Sequence, residues 1–222
     1  MYYWYIMIGC FLIALIAQSA VTKAYNKYAQ IENSRRMTGE TAARQFLDAN
    51  GLTDVDIQIT NGILSDHYDV NRKTLYLSTR VFRDDSISSV AIACHEAGHA
   101  IQDATGYKAL TMRNQILPIA AISNRFCWII IILGILFQSL TAVYIGIGMF
   151  ALIALFQLIT LPVEFNASKR AMTYLEGNVL SYDEVSGANQ VLRSAAMTYV
   201  AALLSSMLQI FYFLSIFGGR RR

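Results

Sequence analysis

Three stretches of this chain stay apolar and uncharged for longer than a bilayer core is thick, and that limits the architectures open to it. Uncharged apolar runs of about 18 or more residues read as membrane spans. The first is Tyr2 to Val21. No basic stretch precedes it and no A-x-A-like cleavage site follows, so it reads as an anchor and not as a removed leader. The second, Phe126 to Val163, holds 38 residues, whereas one crossing takes roughly 20. Its most polar point is Gln138-Ser139, with Thr141 just beyond, which predicts a tight hairpin of two helices. The third is Ser194 to Phe217, closed by Gly218-Gly219 and then Arg220, Arg221 and Arg222. Four spans follow. Hydrophobic residues make up 55% of the chain and charged residues only 15%, a balance that an ordinary soluble domain does not have.

The spans divide the chain into an N-terminal anchor (1–21), a polar domain (22–125), a membrane hairpin (126–163), a second polar segment (164–193) and a C-terminal span with a basic tail (194–222). Both polar segments then lie on one side of the membrane, and both termini and the 138–141 turn on the other. Every acidic residue is on the first side, as is every Lys and Arg except Arg220, Arg221 and Arg222. The positive-inside rule places the polar segments in the cytoplasm, with the terminal Arg cluster pulling the other way. Tyr2, Tyr3, Trp4 and Tyr5 suit an interfacial aromatic belt. The lipid bilayer is thus one partner. Nucleic acid is not expected, since the net charge is only +3 and no basic stripe interleaved with aromatics is present. Cys10, Cys94 and Cys127 form no recognisable disulfide framework.

Within the polar domain, Thr38 to Gly51 reads as a helix with Ala42, Ala43, Phe46 and Leu47 on one face and Asn50-Gly51 as its stop. VDIQIT (55–60) alternates like a strand. GILSDHYDVNRKTLYLS (62–78) reads as a hairpin or a strand–loop–strand, with LYLS returning. Asp84-Asp85-Ser86 offers N-cap residues for a helix running to about Thr105-Gly106. Ser181-Tyr-Asp-Glu184 is a capping-box pattern that opens the last helix.

The helix of residues 86–105 carries ACHEAGHAIQ, with two of the three histidines four positions apart. Residues i and i+4 share a helix face about 5–6 Å apart at Cβ, so His95 and His99 can grip one ion. Zinc suits neutral imidazoles, and a catalytic zinc takes three protein ligands plus water. Glu96 is offset by about a third of a turn and can reach the water that the ion acidifies, so H-E-x-x-H encodes two ligands and a general base. The bland alternative is a pair of satisfied histidines on a partly buried helix. An unsupported Glu96 among Val90, Ala91, Ala97, Ala100 and Ile101 would be costly, and Gly98 sacrifices about 1 kcal/mol of helix propensity, which implies a close approach.

For the third ligand Glu164 stands out, in LPVEFNASKRA where the third span ends. A carboxylate at the membrane edge of an otherwise uncharged helix is a functional candidate by default. Its bland alternative is a surface glutamate pairing with Lys169 or Arg170. Glu176 is a weaker candidate on the same helix. His67, in SDHYD, is a candidate stabiliser of a reaction oxyanion, as is its neighbour Tyr68. The same residues, flanked by Asp66 and Asp69, suit a hydrogen-bonded turn equally well. Asn166 and Arg170 are expected to serve only solvation or packing.

HEAGHAIQ followed by LPVEFNASKRA, with SDHYD upstream and AAMTYVAALL downstream, resembles the YugP-type neutral zinc metallopeptidases of bacterial membranes over nearly the whole chain. More distantly it is similar to gluzincin membrane proteases such as the HtpX heat-shock and CAAX prenyl proteases, which carry HExxH and then E-[FY]-x-A-D-x-x-A. The resemblance implies a mainly α membrane protein with a small α+β, zincin-like catalytic domain and a short β-hairpin. It also implies Zn2+ as cofactor, His95, His99 and Glu164 as ligands, and Glu96 as base. Ser168 stands where the distant relatives have Asp, a residue suited to orienting a ligand histidine, so that support is altered here.

The leading expectation is a membrane-anchored zinc endopeptidase that cuts membrane or membrane-proximal proteins, with the substrate extended beside a strand such as LYLS. An intramembrane site-2-type protease is the alternative, disfavoured by Arg83, Asp84, Asp85 and Asp103 around the motif. A di-iron membrane oxidase needs more histidines than three. A metal-bound scaffold or chaperone would more often use a closed, Cys-rich site.

Overall fold

A computed structural model describes residues 2–218. Arg220, Arg221 and Arg222, which weigh on orientation, lie outside the described residues, as do the side chains of Tyr2 and Tyr3. The elements run α1 (Tyr2–Tyr28), α2 (Gly39–Ala49), β1 (Asp56–Thr60), β2 (His67–Asp69), β3 (Thr74–Ser78), α3 (Thr79–Arg83), α4 (Ile87–Ala104), α5 (Lys108–Leu136), α6 (Leu140–Asn178) and α7 (Tyr182–Phe217). The protein is mainly helical with one small sheet, and α1, α5, α6 and α7 are each long and apolar enough to cross a membrane.

The chain forms two compact units. Among the described residues, one gathers 2–17, Thr111–Pro162 and 197–218. Its core is apolar: Cys127 and Ile131 of α5, Val143, Ile147, Phe150 and Ile153 of α6, and Phe213 of α7. Trp128 sets its ring edge against Phe150, 5.3 Å between centroids. The expected hairpin turn falls at Phe137–Ser139, where Gln138 takes φ 54° and the Ser139 amide caps the Gly134 carbonyl at 2.8 Å. Gly146 permits the two arms to meet, because a Cβ there would collide with the Ile131 side chain.

The second unit comprises Gln18–Leu110 and Val163–Ala196, and α4 is its centre. Ser86 caps α4, accepting from the Ser89 amide at 3.1 Å. At the other end Gly106, with φ 63°, lets the Gly106 amide reach Asp103 O and the Tyr107 amide reach Gln102 O, a Schellman stop. The sequence of α4 is rich in small residues, Ala above all, because it is buried nearly all round. The α2 face of Ala42, Ala43, Phe46 and Leu47 packs on it, with Leu75 and Leu77 of β3, Ala171 and Leu175 of α6, and Val191 and Leu192 of α7 in the same core. Helix α2 runs as its pattern indicates, capped by Thr38 and stopped at Asn50 before Gly51 at φ 75°.

The sheet order is β1-β3-β2. β3 pairs in parallel with β1 from Thr74 to Ser78 and antiparallel with β2 from Thr74 to Tyr76. Where β2 ends, the Asp66 carboxylate takes over, accepting from the Ser78 amide at 2.7 Å and from its hydroxyl at 3.2 Å. LYLS is therefore the central strand. The expectation that an extended substrate lies beside it is corrected: both its backbone edges are already engaged, and the edges left are those of β1 and β2.

Residues 164–193 hold the end of α6, a short loop and the start of α7. Val163 to Asn178 continues α6 without interruption, and α7 begins at Tyr182. Pro162 lies inside α6 just before Glu164, and the helix continues past it. The capping pattern at its start is used, the Glu184 carboxylate accepting from the Ser181 amide at 2.8 Å and also from the Ser34 amide at 2.7 Å.

Candidate metal centre

Helix α4 presents His95 and His99 one turn apart, and α6 brings Glu164 against them from a position 69 residues further along the chain than His95. His95 Nε2 lies 3.3 Å from Glu164 Oε2, and His99 Nε2 lies 3.8 Å from Glu164 Oε1. The two rings meet edge to face, 4.9 Å between centroids at 82°. The His95, His99 and Glu164 side chains retain only 12%, 9% and 6% of their exposure. One ligand atom from each falls within 4.8 Å of the others, a group that could hold a metal ion.

The outer nitrogens show how the rings are set. Gln102, wholly buried, donates its amide to Val163 O at 2.8 Å and to Asn166 Oδ1 at 3.0 Å. A backbone carbonyl only accepts, so the Nε2 end of the amide must face α6 and the Oε1 end must face His99. That oxygen lies 3.0 Å from His99 Nδ1, which therefore carries the proton and donates. The His99 Nε2 of a neutral ring is then left with its lone pair directed at a carboxylate oxygen. Acceptor facing acceptor is repulsive unless a cation sits between them. His95 Nδ1 has Ser168 Oγ at 3.1 Å, so the shorter residue at this position still reaches the ring. Two imidazole nitrogens and one carboxylate oxygen, with both outer nitrogens supported, are the donor set that zinc favours. The residues fit the ion.

Glu96 is the next residue on α4, about 100° around the helix from His95, and is half-buried. The close approach implied by Gly98 is present: a Cβ there would stand 2.9 Å from the Ala167 carbonyl oxygen of α6. Asp103 closes this end of α4, accepting from the Tyr68 hydroxyl at 3.1 Å. Burial first, and then the Asp103 carboxylate, push the Tyr68 pKa well above its usual range, so this phenol remains a neutral donor. The Cys94 thiol, fully buried beside His95, is also pushed far up by burial. It packs and does not react.

His67 is not brought to this group. It is exposed on β2, its ring stacked on Tyr76 at 5.0 Å with Nδ1 2.9 Å from Ser65 O, while strand alternation sends Tyr68 inward to the core. Glu176 is exposed, three turns or about 18 Å along α6 from Glu164, and is not a member of the cluster. Asn166, expected only to solvate or pack, instead joins the network, with its Oδ1 also accepting from Arg170 Nε at 2.9 Å. The sequence reading missed Gln102 altogether. Its one signal was position: three residues after His99 it shares that helix face.

A model of the family described as "Putative neutral zinc metallopeptidase" matches residues 3–218. "Putative membrane protease YugP" of Bacillus subtilis (strain 168) is 40% identical over 219 residues, spanning 98% of this chain and 97% of that protein. No solved structure gives a significant match.

Proposed function

Because the chain belongs to the "Putative neutral zinc metallopeptidase" family, we propose that it is a membrane-anchored, gluzincin-like zinc endopeptidase. In this reading His95, His99 and Glu164 hold Zn2+, and Glu96 is the general base. The observation that carries it is the convergence within 4.8 Å of donor atoms from His95, His99 and Glu164, beside a glutamate on the next helix position. When bound there, zinc supplies Lewis acidity, polarising the scissile carbonyl and lowering the pKa of water. Glu96 takes one proton from the attacking water as its oxygen adds to the carbonyl carbon, and returns it to the leaving amine as the C–N bond breaks. Gln102 and Ser168 keep the His99 and His95 rings turned toward Glu164. His67, its ring stacked on Tyr76 with Nδ1 near Ser65 O, is given no role in this reading.

The substrates proposed are membrane proteins or their juxtamembrane segments. Glu164 directly follows the uncharged run that ends at Val163, so in the chain the site begins where the span ends. The intramembrane reading is not favoured, because α4 is not among the four helices suited to crossing and is preceded by Arg83, Asp84 and Asp85. The polar segments are proposed to face the cytoplasm.

A proteolysis assay on a membrane-protein library, run with wild type and Glu96→Gln side by side, tests this function. Wild type is expected to cleave and to stop when zinc is chelated. Glu96→Gln is expected to keep its zinc and lose cleavage by about 10²–10⁴-fold, the usual weight of a general base. Equal cleavage by the two proteins would refute the proposal.

A further inference from the structure

We propose that Gln102 is the positioning residue that locks the two halves of the metal site together, fixing the tautomer of His99 and the rotational setting of Glu164 through one amide. This deepens the zinc reading and rests on it. The amide has four hydrogen-bonding features relevant here, two N–H donors and two lone pairs on Oε1. Both donors are spent on α6, at Val163 O and Asn166 Oδ1, and these residues bracket Glu164 in sequence. Consecutive helix positions differ by about 100° and 1.5 Å, so a one-residue slip or turn of α6 would break both bonds and move the Glu164 carboxylate off the histidines. The remaining function of the amide, its oxygen, holds His99 Nδ1 at 3.0 Å. The Asn166 oxygen is itself kept in place by Arg170 Nε at 2.9 Å, and the Gly98–Ala167 approach fixes the spacing of the same two helices.

The two histidines are consequently held in different ways. Ser168 can donate to or accept from His95 Nδ1 by rotating its hydroxyl, so it tolerates either tautomer. Gln102 cannot reverse without losing the Val163 carbonyl, so His99 is restricted to the form that directs a lone pair inward. A carboxylate at position 102 would serve His99 equally well but has no N–H for α6. Glutamine serves both.

The test uses the full chain in detergent: wild type, Gln102→Ala, Gln102→Glu, Asn166→Ala, Glu164→Ala and the Gln102→Ala/Glu164→Ala double variant. Zinc affinity is measured by chelator competition, and the His99 tautomer by ¹⁵N spectroscopy of the metal-free protein. Gln102→Ala is expected to weaken zinc by about 10–100-fold and to release His99 into a tautomer mixture. Gln102→Glu should keep the tautomer yet still bind zinc more weakly than wild type. Removing Glu164 should cost less affinity in the Gln102→Ala background than in wild type, which uniform destabilisation would not produce. If Gln102→Ala fails to fold, Asn166→Ala, at a half-buried position, should show a smaller loss of zinc affinity in the same direction. Unchanged tautomer and affinity in Gln102→Ala, or unchanged affinity in a folded Asn166→Ala, would overturn the inference. If wild type itself binds no zinc, the zinc reading fails, whereas the metal-free tautomer still reports whether Gln102 locks His99.

Discussion

The outer nitrogen of each site histidine faces one side chain, Gln102 for His99 and Ser168 for His95. The His95–Glu96–His99 spacing places the proposed ligands and base by helix geometry alone, and Glu164 is conspicuous as a carboxylate following an uncharged run. Gln102 was hidden because what it touches on α6 begins 61 residues away, and nothing in HAIQDA names a distant carbonyl. Gly98 lies between these cases: its propensity cost hinted at close packing, and the structure identifies Ala167 as the neighbour. A prediction follows for that contact. Gly98→Ala gains about 1 kcal/mol of helix propensity, but its Cβ would press on a backbone oxygen that cannot swing aside. Thermal unfolding in detergent is expected to show a net loss of stability, accompanied by weaker zinc retention. A more stable variant with full zinc content would show that α6 has slack at this point.

At the scale of elements, the helices α2 and α4, the alternating strand at 55–60 and the returning strand LYLS lie close to where their patterns put them, since capping and periodicity are local signals. Strand order was not legible. A parallel β1–β3 pair depends on how the intervening segment crosses over, and the short β2 carries too few residues to show a pattern. Asp66, read as one member of a turn, completes the sheet by receiving the Ser78 amide and hydroxyl. Asp66→Ala is expected to destabilise the protein by about 1–3 kcal/mol, the cost of leaving such a donor without its acceptor. Burial raises the Asp66 pKa, so folding favours the protonated form. Stability is then greatest below the unfolded carboxyl range and declines as pH rises through the folded value. Asp66→Asn has no such penalty. Its stability relative to wild type should improve between pH 4 and pH 7 in the same unfolding experiment, and a difference that does not change with pH would contradict this.

For the whole molecule, the count of four apolar helices and the turn at Gln138 followed from the absence of charge over long runs, the strongest signal a sequence carries. The shared helix expected for Glu164 and Glu176 is also present, since α6 carries both. Orientation is tested by labelling Asn71→Cys, an exposed position, in intact cells; Cys10, Cys94 and Cys127 are buried and give little background. Reaction only with a membrane-permeant reagent is expected. Reaction with an impermeant one would place the polar segments outside and give Arg220–Arg222 the deciding weight. The claim on which the whole account depends is that the chain, carried through a membrane hairpin between α4 and the second half of α6, closes one metal site. Zinc content of the purified full chain measures this most directly. Wild type is expected to carry about one zinc per chain, as a three-ligand catalytic site requires, and Glu164→Ala to lose most of it while Glu96→Gln keeps it. Full zinc retention in Glu164→Ala would contradict the account.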